Sequence, residues 1–300
     1  MSRLLNALIR PIRSRRSLLL ARGVVFVLAL LVVLAAAFLA AWLAARPGWP
    51  GWLTLLAYLV PILIGLLIAQ GLYRLDAGLA QHRRDMEAGD ILEALRRGED
   101  RAFCLYLRPF ASTDALETHV TRRVFTGGGP RQFILAGERL EFETELERAV
   151  RPLVPLVALG KPLEHEGAGR ILVDDHEWQE VILCLMAAAR LIILLPAARP
   201  GTLWEVEQIL SCGYAGKTVI IDPPNRASSR EDYDPAARWQ EIRLAFARAG
   251  YALPADDEGG LIVRFGSRRC APVESRPLAI DALATMRSFF RRALCKRQAA

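Results

Sequence analysis

Two long apolar runs dominate the hydrophobic pattern near the amino terminus. Residues 24–45 and 52–72 contain no Lys, Arg, Asp or Glu. Each run has the ~20 residues that a helix needs to cross about 30 Å of hydrocarbon. Because only residues 46–51 separate the runs, the chain must turn straight back. The pattern predicts a two-helix transmembrane hairpin over residues 24–72.

The charges that flank the two runs predict the side of the membrane on which each end lies. Residues 1–22 hold six Arg and no acid, and Arg74, Arg83 and Arg84 follow the second run. Because cytoplasmic segments carry an excess of Lys and Arg, both termini are expected in the cytoplasm. A cleaved signal peptide and a buried core helix are the alternatives, but a signal peptide has a single, shorter apolar core.

A polar segment at residues 73–100 follows the hairpin. Its apolar residues recur at helical spacing, which predicts a juxtamembrane helix broken near Gly89. The helix either couples the anchor to the following domain or is a plain spacer. The predicted organisation is a basic tail at residues 1–23, the hairpin at 24–72, a helical linker at 73–100 and a cytosolic domain at 101–300.

Short apolar runs alternate with helical patterns after residue 101. Continuous apolar strands between helices are typical of a parallel sheet that is buried on both faces. The predicted fold is therefore α/β and flavodoxin-like, with a mostly parallel sheet. The irregular stretch 111–137 is either a loop over the site or an unimportant insertion. The predicted strands are 102–107, 154–159, 170–173, 191–195, 217–221 and 261–265, and the predicted helices are 141–151, 176–189, 203–212, 234–250 and 278–294.

The formal net charge of +7 resides in the two tails. Residues 1–22 carry +6 and residues 287–300 carry +5, so the rest of the chain is mildly acidic. Nucleic acid is therefore not an expected partner, because no basic stripe crosses the soluble part. The tails suit the anionic headgroups of a lipid bilayer instead.

Cysteine and histidine usage argues against a disulfide framework and a metal centre. The five cysteines form no C-x-x-C pair, and the four histidines lack metal-ligand spacing. Cys104 and Cys184 lie in apolar runs and are expected to be small hydrophobic residues of the core.

Candidate ligand-binding residues follow the predicted strands, because open parallel sheets bind ligands beyond the carboxyl ends of their strands. Arg108 follows the first strand and has the geometry to bind a phosphate with two hydrogen bonds. A salt bridge at the sheet end is the alternative role for Arg108. The other candidates that follow strands are Gly160, Lys161, Gly201, Thr202, Trp204 and Glu205.

Residues 191–210 contain the sharpest of these candidates, where a buried strand runs through a small-residue loop into a helix. Gly201 allows a ligand to approach the backbone closely, and Thr202 is placed to cap the helix, whose free N–H groups favour an anion. Glu205, in the predicted first turn, has the chemistry to stabilise an oxocarbenium-like ribosyl centre. The alternative is that Thr202 and Glu205 form an ordinary capping box and Trp204 packs in the core.

Four segments resemble bacterial membrane-anchored proteins with Toll/interleukin-1 receptor-like (TIR-like) domains. They are LYLRPF at 105–110, VALGKP at 157–162, the segment 170–196, and the Trp- and Glu-bearing helix start at 204–205. In typical members the Glu stands one helical turn after the Trp, where this chain has Gln208. Gly201, Thr202 and Glu205 also match the G-T-x-x-E end of the motif of lysine-decarboxylase-like nucleotide phosphoribohydrolases, whose paired glycines this chain lacks.

The TIR resemblance implies an inner-membrane protein whose cytosolic domain binds and hydrolyses NAD or a related nucleotide at the N-glycosidic bond. It nominates Glu205 as the catalytic residue and implies self-association. NAD would be a substrate, and no cofactor is expected. The rival hypothesis is a non-catalytic membrane-bound signalling scaffold that acts through domain contacts.

Overall fold

The computed structural model divides the chain into two compact units, residues 1–80 and 81–300. Within the described part of the chain, none of the helices combines the length and the apolar character that a membrane span requires. The structure describes residues 31, 33–35, 37–39, 41–42, 50–108, 117–119, 139–160, 166–174, 176–197, 200–222, 235–255, 260–265, 274–278 and 282–298.

Helices and strands alternate along the second unit much as the hydrophobic pattern predicts. The helices are α1 (Gly51–Arg96), α2 (Phe142–Val150), α3 (Trp178–Ala188), α4 (Pro200–Ser211), α5 (Pro235–Arg248) and α6 (Ala282–Gln298). The strands are β1 (Cys104–Leu107), β2 (Glu117–His119), β3 (Arg139–Glu141), β4 (Leu156–Leu159), β5 (Gly169–Ile171), β6 (Leu191–Leu194), β7 (Thr218–Asp222), β8 (Leu261–Arg264) and β9 (Glu274–Pro277).

A mixed sheet of seven strands forms the centre of this unit, in the order β5-β4-β1-β6-β7-β8-β9. The first five strands in that order are parallel, whereas β8 and β9 pair antiparallel to their neighbours. The predicted α/β fold with a mostly parallel sheet is thus confirmed. Strand β9 was not predicted, because its sequence, ESRP, has no apolar run and its side chains are largely exposed.

Alternating side chains from the strands build two separate hydrophobic layers, one on each face of the sheet. Leu105, Leu107, Ile192 and Leu194 belong to the layer that α1, α3, α4 and α5 cover. The residues between them, such as Tyr106 and Ile193, belong to the layer that α2 and α6 cover. Burial on both faces explains why the strands are continuously apolar.

Helix α1 covers the β5 edge of the sheet at unusually short range. A Cβ atom on Gly169 would overlap the carbonyl oxygen of Arg84, so only glycine fits at this position. Ala88, Ile91 and Leu92 of the same helix are buried in the core. The residues of α1 from Gln81 onward therefore belong to the second compact unit.

Two local expectations are wrong, the helix break near Gly89 and the burial of Cys184. Helix α1 runs through Gly89 without a break and ends at Arg96, since the packing of its buried stripe offsets the weak helix propensity of one glycine. Cys104 is buried as expected, but Cys184 is exposed on the outer side of α3. The stretch 111–137 contains the short strand β2, which pairs with β3, and its other residues lie outside the described residues.

Substitution of Gly169 by Ala tests the approach of α1 to β5. The added methyl group would overlap the Arg84 carbonyl, so we expect a loss of about 1–3 kcal/mol in the free energy of unfolding. Chemical denaturation of the full chain in detergent measures this loss. Gly89→Ala on the same helix is the matched control, because its Cβ would meet no atom of the described part of the chain within 4 Å. We expect the control to gain up to about 1 kcal/mol, and equal effects of the two substitutions would contradict the proposed close contact.

Candidate functional site

The carboxyl ends of β1 and β6 lie side by side at the centre of the sheet. Leu107 pairs with Leu194, and the Leu195 N–H donates a hydrogen bond of 3.1 Å to the Leu107 carbonyl oxygen. From β1 the chain proceeds first to β4 on one side and later to β6 on the other. The crevice between β1 and β6 is therefore the topological switch point, where open α/β sheets bind ligands.

Glu205 lies in the helix that follows β6, but not in its first turn. Helix α4 begins at Pro200, a residue favoured at the first helical position, so Thr202 and Glu205 are its third and sixth residues. The predicted Thr202 cap and the capping box with Glu205 are therefore wrong, and the first turn contains no acidic residue. Neither capping nor the helix dipole explains a carboxyl group at this position.

The inner face of α4 buries Glu205 against the sheet. Glu205 is 3 % exposed and shares this face with Thr202, Val206 and Ile209, whereas Glu207 points to solvent. Burial raises the pKa of the Glu205 carboxyl from 4.5 to about 8. Among the described residues, no group donates a hydrogen bond to Glu205 or forms an ion pair with it. A buried acid with a perturbed pKa in the helix that follows a central strand is a candidate functional residue.

Two tryptophans flank the amino end of α4. Trp204 is half-buried and contacts Trp178, the first residue of α3, with ring centroids 5.0 Å apart and rings nearly perpendicular. This edge-to-face pair fixes the start of one helix against the start of the other. A Cβ atom on Gly201 would meet no atom of the described residues within 4 Å.

Arg108 reaches the same edge of the sheet but the opposite face. The side chain is 5 % exposed, and its Nη1 lies 3.8 Å from Oε2 of Glu143 in α2. Oε1 of Glu143 lies 2.7 Å from Nη2 of Arg170 in β5. Helices α2 and α4 cover different faces of the sheet. Arg108 pairs with Glu143 of α2 and, among the described contacts, does not meet Glu205 of α4.

Gly160 and Lys161 follow β4 at this edge. The Gly160 N–H donates a hydrogen bond of 3.1 Å to the Ile171 carbonyl oxygen and so joins the ends of β4 and β5. Lys161 lies outside the described residues. The site at the switch point thus consists of the Glu205 face of α4, Gly201, and Arg108 on the far face.

A group of buried polar residues at the β5 edge was missed by the sequence analysis. We call Gln81, Asp85, Glu143 and Arg170 the edge network. Gln81 accepts a hydrogen bond from the Gly167 N–H (2.9 Å) and donates one to the Ala168 carbonyl oxygen (2.8 Å). Asp85 accepts from the Arg170 N–H (2.8 Å), and Glu143 accepts from the Ala168 N–H (2.9 Å). These side chains satisfy backbone groups that an edge strand otherwise exposes.

The sequence does contain a signal for this network. Gln81 and Asp85 continue the stripe of Ala88, Leu92 and Leu95 at helical spacing, so two polar residues stand where the pattern places buried ones. A buried polar group requires a partner, which makes such interruptions candidate network positions.

Among the described residues, the cavity lies away from this site and no metal-binding cluster adds to it. A cavity of 480 Å³ lies at the opposite end of the sheet, beside Ala102 and Pro155, which precede β1 and β4. Its other lining residues come mostly from the charged outer side of α1. In the described segments, no group of three or more His, Cys, Asp and Glu side chains is arranged to hold a metal ion.

No protein-family model, curated protein or solved structure matches this chain. The activity of the protein therefore has to be inferred from its own residues and contacts.

Proposed function

We propose that the α/β unit binds NAD or a related nucleotide at the switch point between β1 and β6 and hydrolyses its N-glycosidic bond. Glu205 is the catalytic residue in this proposal. The single observation that carries it is the buried Glu205 carboxyl, which has a pKa raised to about 8 and, among the described residues, neither a capping role nor a partner. A structural carboxyl would be expected to have a partner at this depth.

The raised pKa suits a ligand that carries positive charge. Without a ligand, burial keeps the Glu205 carboxyl largely protonated at neutral pH. A cationic ring or a ribosyl cation beside it favours the ionised form, because an opposite charge lowers the pKa of a carboxyl group. The carboxylate would then stabilise the oxocarbenium-like centre as the bond to the base breaks.

The ligand's phosphates would lie along the same edge of the sheet. The first N–H groups of α4 favour an anion, and Gly201 gives it access to the backbone. Arg108 supplies the matching cation once its ion pair with Glu143 opens, and Gly160 lies at the end of β4 on the same edge. Lys161, the next residue in the sequence, remains a candidate for phosphate binding. Trp204 forms one wall through its contact with Trp178.

The apolar segment 24–72 would anchor this unit in a bacterial inner membrane, with both termini in the cytoplasm. The two uncharged runs support this, as do large apolar side chains that α1 leaves exposed before Gln81. Trp52, Leu55 and Leu67 expose 64 %, 61 % and 58 % of their surface, which a lipid bilayer would cover. Self-association of the anchored chains belongs to the same proposal, by resemblance to TIR-like domains.

Release of nicotinamide from NAD tests the catalytic part of the proposal. The full chain in lipid nanodiscs is expected to release nicotinamide, and Glu205→Gln should reduce the rate at least about 100-fold, because the substitution removes the ionisable group. Glu207→Gln is the matched control, since Glu207 lies two residues further along α4 and is exposed. The control should retain the wild-type rate.

Two outcomes would reject the enzymatic proposal. One is a folded chain that releases no nicotinamide at any protein density on the membrane. The other is a release rate that Glu205→Gln leaves unchanged. Either outcome would favour the non-catalytic scaffold, for which the packed Trp178–Trp204 pair is the supporting observation.

Extraction from membranes tests the anchor separately. The chain expressed in bacteria is expected to remain in the membrane pellet after an alkaline carbonate wash, because two apolar spans hold it in the bilayer. A variant that lacks residues 1–72 should leave the pellet. Release of the full chain by the wash would contradict the anchor.

A further inference from the structure

A chain of contacts links helix α1 to Arg108. Gln81 binds the backbone of residues 167 and 168, and Asp85 binds the backbone N–H of Arg170. These bonds fix the edge strand β5 relative to the helix. The edge strand in turn holds Glu143 through the Ala168 N–H and the Arg170 guanidinium.

The two carboxylate oxygens of Glu143 have different partners. Oε1 accepts the Ala168 N–H at 2.9 Å and lies 2.7 Å from Arg170 Nη2, so the edge strand determines its position. Oε2 is left facing Arg108, at 3.8 Å from Nη1. All three charged side chains are less than a tenth exposed, which strengthens their attraction relative to a surface pair.

We propose that the edge network holds Arg108 in an autoinhibitory ion pair with Glu143, and that displacement of α1 at Gln81 and Asp85 releases Arg108 for a ligand phosphate. Glu143 restrains Arg108 through this ion pair, and α1 acts on Glu143 through β5. The consequence for phosphate binding rests on the proposed function, whereas the coupling between α1 and Arg108 does not.

A shift of α1 would act on the edge network through Gln81 and Asp85. Gln81 and Asp85 lie one helical turn apart on α1, so a shift of the helix at these residues acts on both of them. A displacement along the helix axis would strain several short hydrogen bonds at once, because Gly169 leaves no gap between helix and strand. The edge network would then rearrange as a unit.

A double-mutant cycle tests the coupling without any ligand. Gln81→Leu and Arg108→Met are made singly and together in the full chain in detergent, and the midpoints of thermal unfolding are compared. We expect the double variant to lose less than the sum of the single losses, because Gln81→Leu already loosens the partner of Arg108. The control cycle combines Gln81→Leu with Arg264→Met, which removes a 2.6 Å ion pair on β8. Additivity in both cycles would overturn the proposal.

A binding experiment tests the autoinhibition itself. Glu143→Gln removes the competing charge but retains an acceptor for the Ala168 N–H, so the dissociation constant for NAD should fall about tenfold. Glu143→Asp keeps the charge and should bind NAD as weakly as the wild type. This control separates the effect of the charge from the effect of any substitution at position 143. Unchanged or weaker NAD binding by a folded Glu143→Gln chain would contradict the autoinhibition. Failure of every variant, wild type included, to bind NAD would reject the proposed function, and the cycle would still decide the coupling.

Discussion

The parallel pairing of β1 with β6 is the constraint on which the candidate site depends. It sets the carboxyl ends of the two central strands next to each other, with the Leu195 N–H bonded to the Leu107 carbonyl oxygen. Because side chains alternate across a sheet, it also determines which face each side chain takes. Arg108 follows Tyr106 onto the α2 face, whereas the helix after β6 returns over the other face. The two sequence candidates thus share an edge but lie on opposite sides of it.

Two buried groups at this edge differ in how their charge is balanced. Glu143 is surrounded by two guanidinium groups and a backbone N–H, so its charge is compensated. Glu205 has no such partner among the described residues, and burial raises its pKa to about 8. The compensated cluster is suited to holding the fold together, and the uncompensated acid is suited to meeting a ligand. This contrast is the physical basis for placing chemistry at Glu205 and control at Glu143.

The sequence predicts the elements of the sheet well, because buried parallel strands are apolar without interruption and their helices carry periodic stripes. It predicts β9 poorly, since an exposed edge strand has no such pattern. It also places the start of α4 three residues too late, at 203 and not at Pro200, because Pro200 and Gly201 are typical of loops. Proline at the first helical position is compatible with a helix, and recognising this would have excluded the capping box.

The candidate site was predictable only in part, for reasons that concern long-range contacts. The rule that parallel sheets bind ligands beyond the carboxyl ends of their strands identifies Arg108 and Glu205, because it requires only the positions of the strands in the sequence. It does not reveal that Arg108 meets Glu143, which is 35 positions later in the chain. The contacts between Gln81 and residues 167–168 join parts of the chain still further apart, and they follow from the docking of α1 on the sheet edge. The sequence alone shows only that Gln81 and Asp85 stand on a helical stripe of buried positions.

The pH dependence of stability tests the central claim, that Glu205 is buried without a compensating charge, most directly. The native state would hold the Glu205 proton up to about pH 8, whereas the unfolded state loses it near 4.5. The native state therefore binds more protons between these values, and stability falls as pH rises through this window. At pH 7 the cost is about 3 kcal/mol.

The measurement is the free energy of unfolding of wild type and Glu205→Gln across this pH range, with Glu207→Gln as the exposed control. The account predicts that the wild type and the control lose stability relative to Glu205→Gln by up to about 1.4 kcal/mol for each pH unit. Parallel curves for all three proteins would show that Glu205 titrates normally, and would contradict the account.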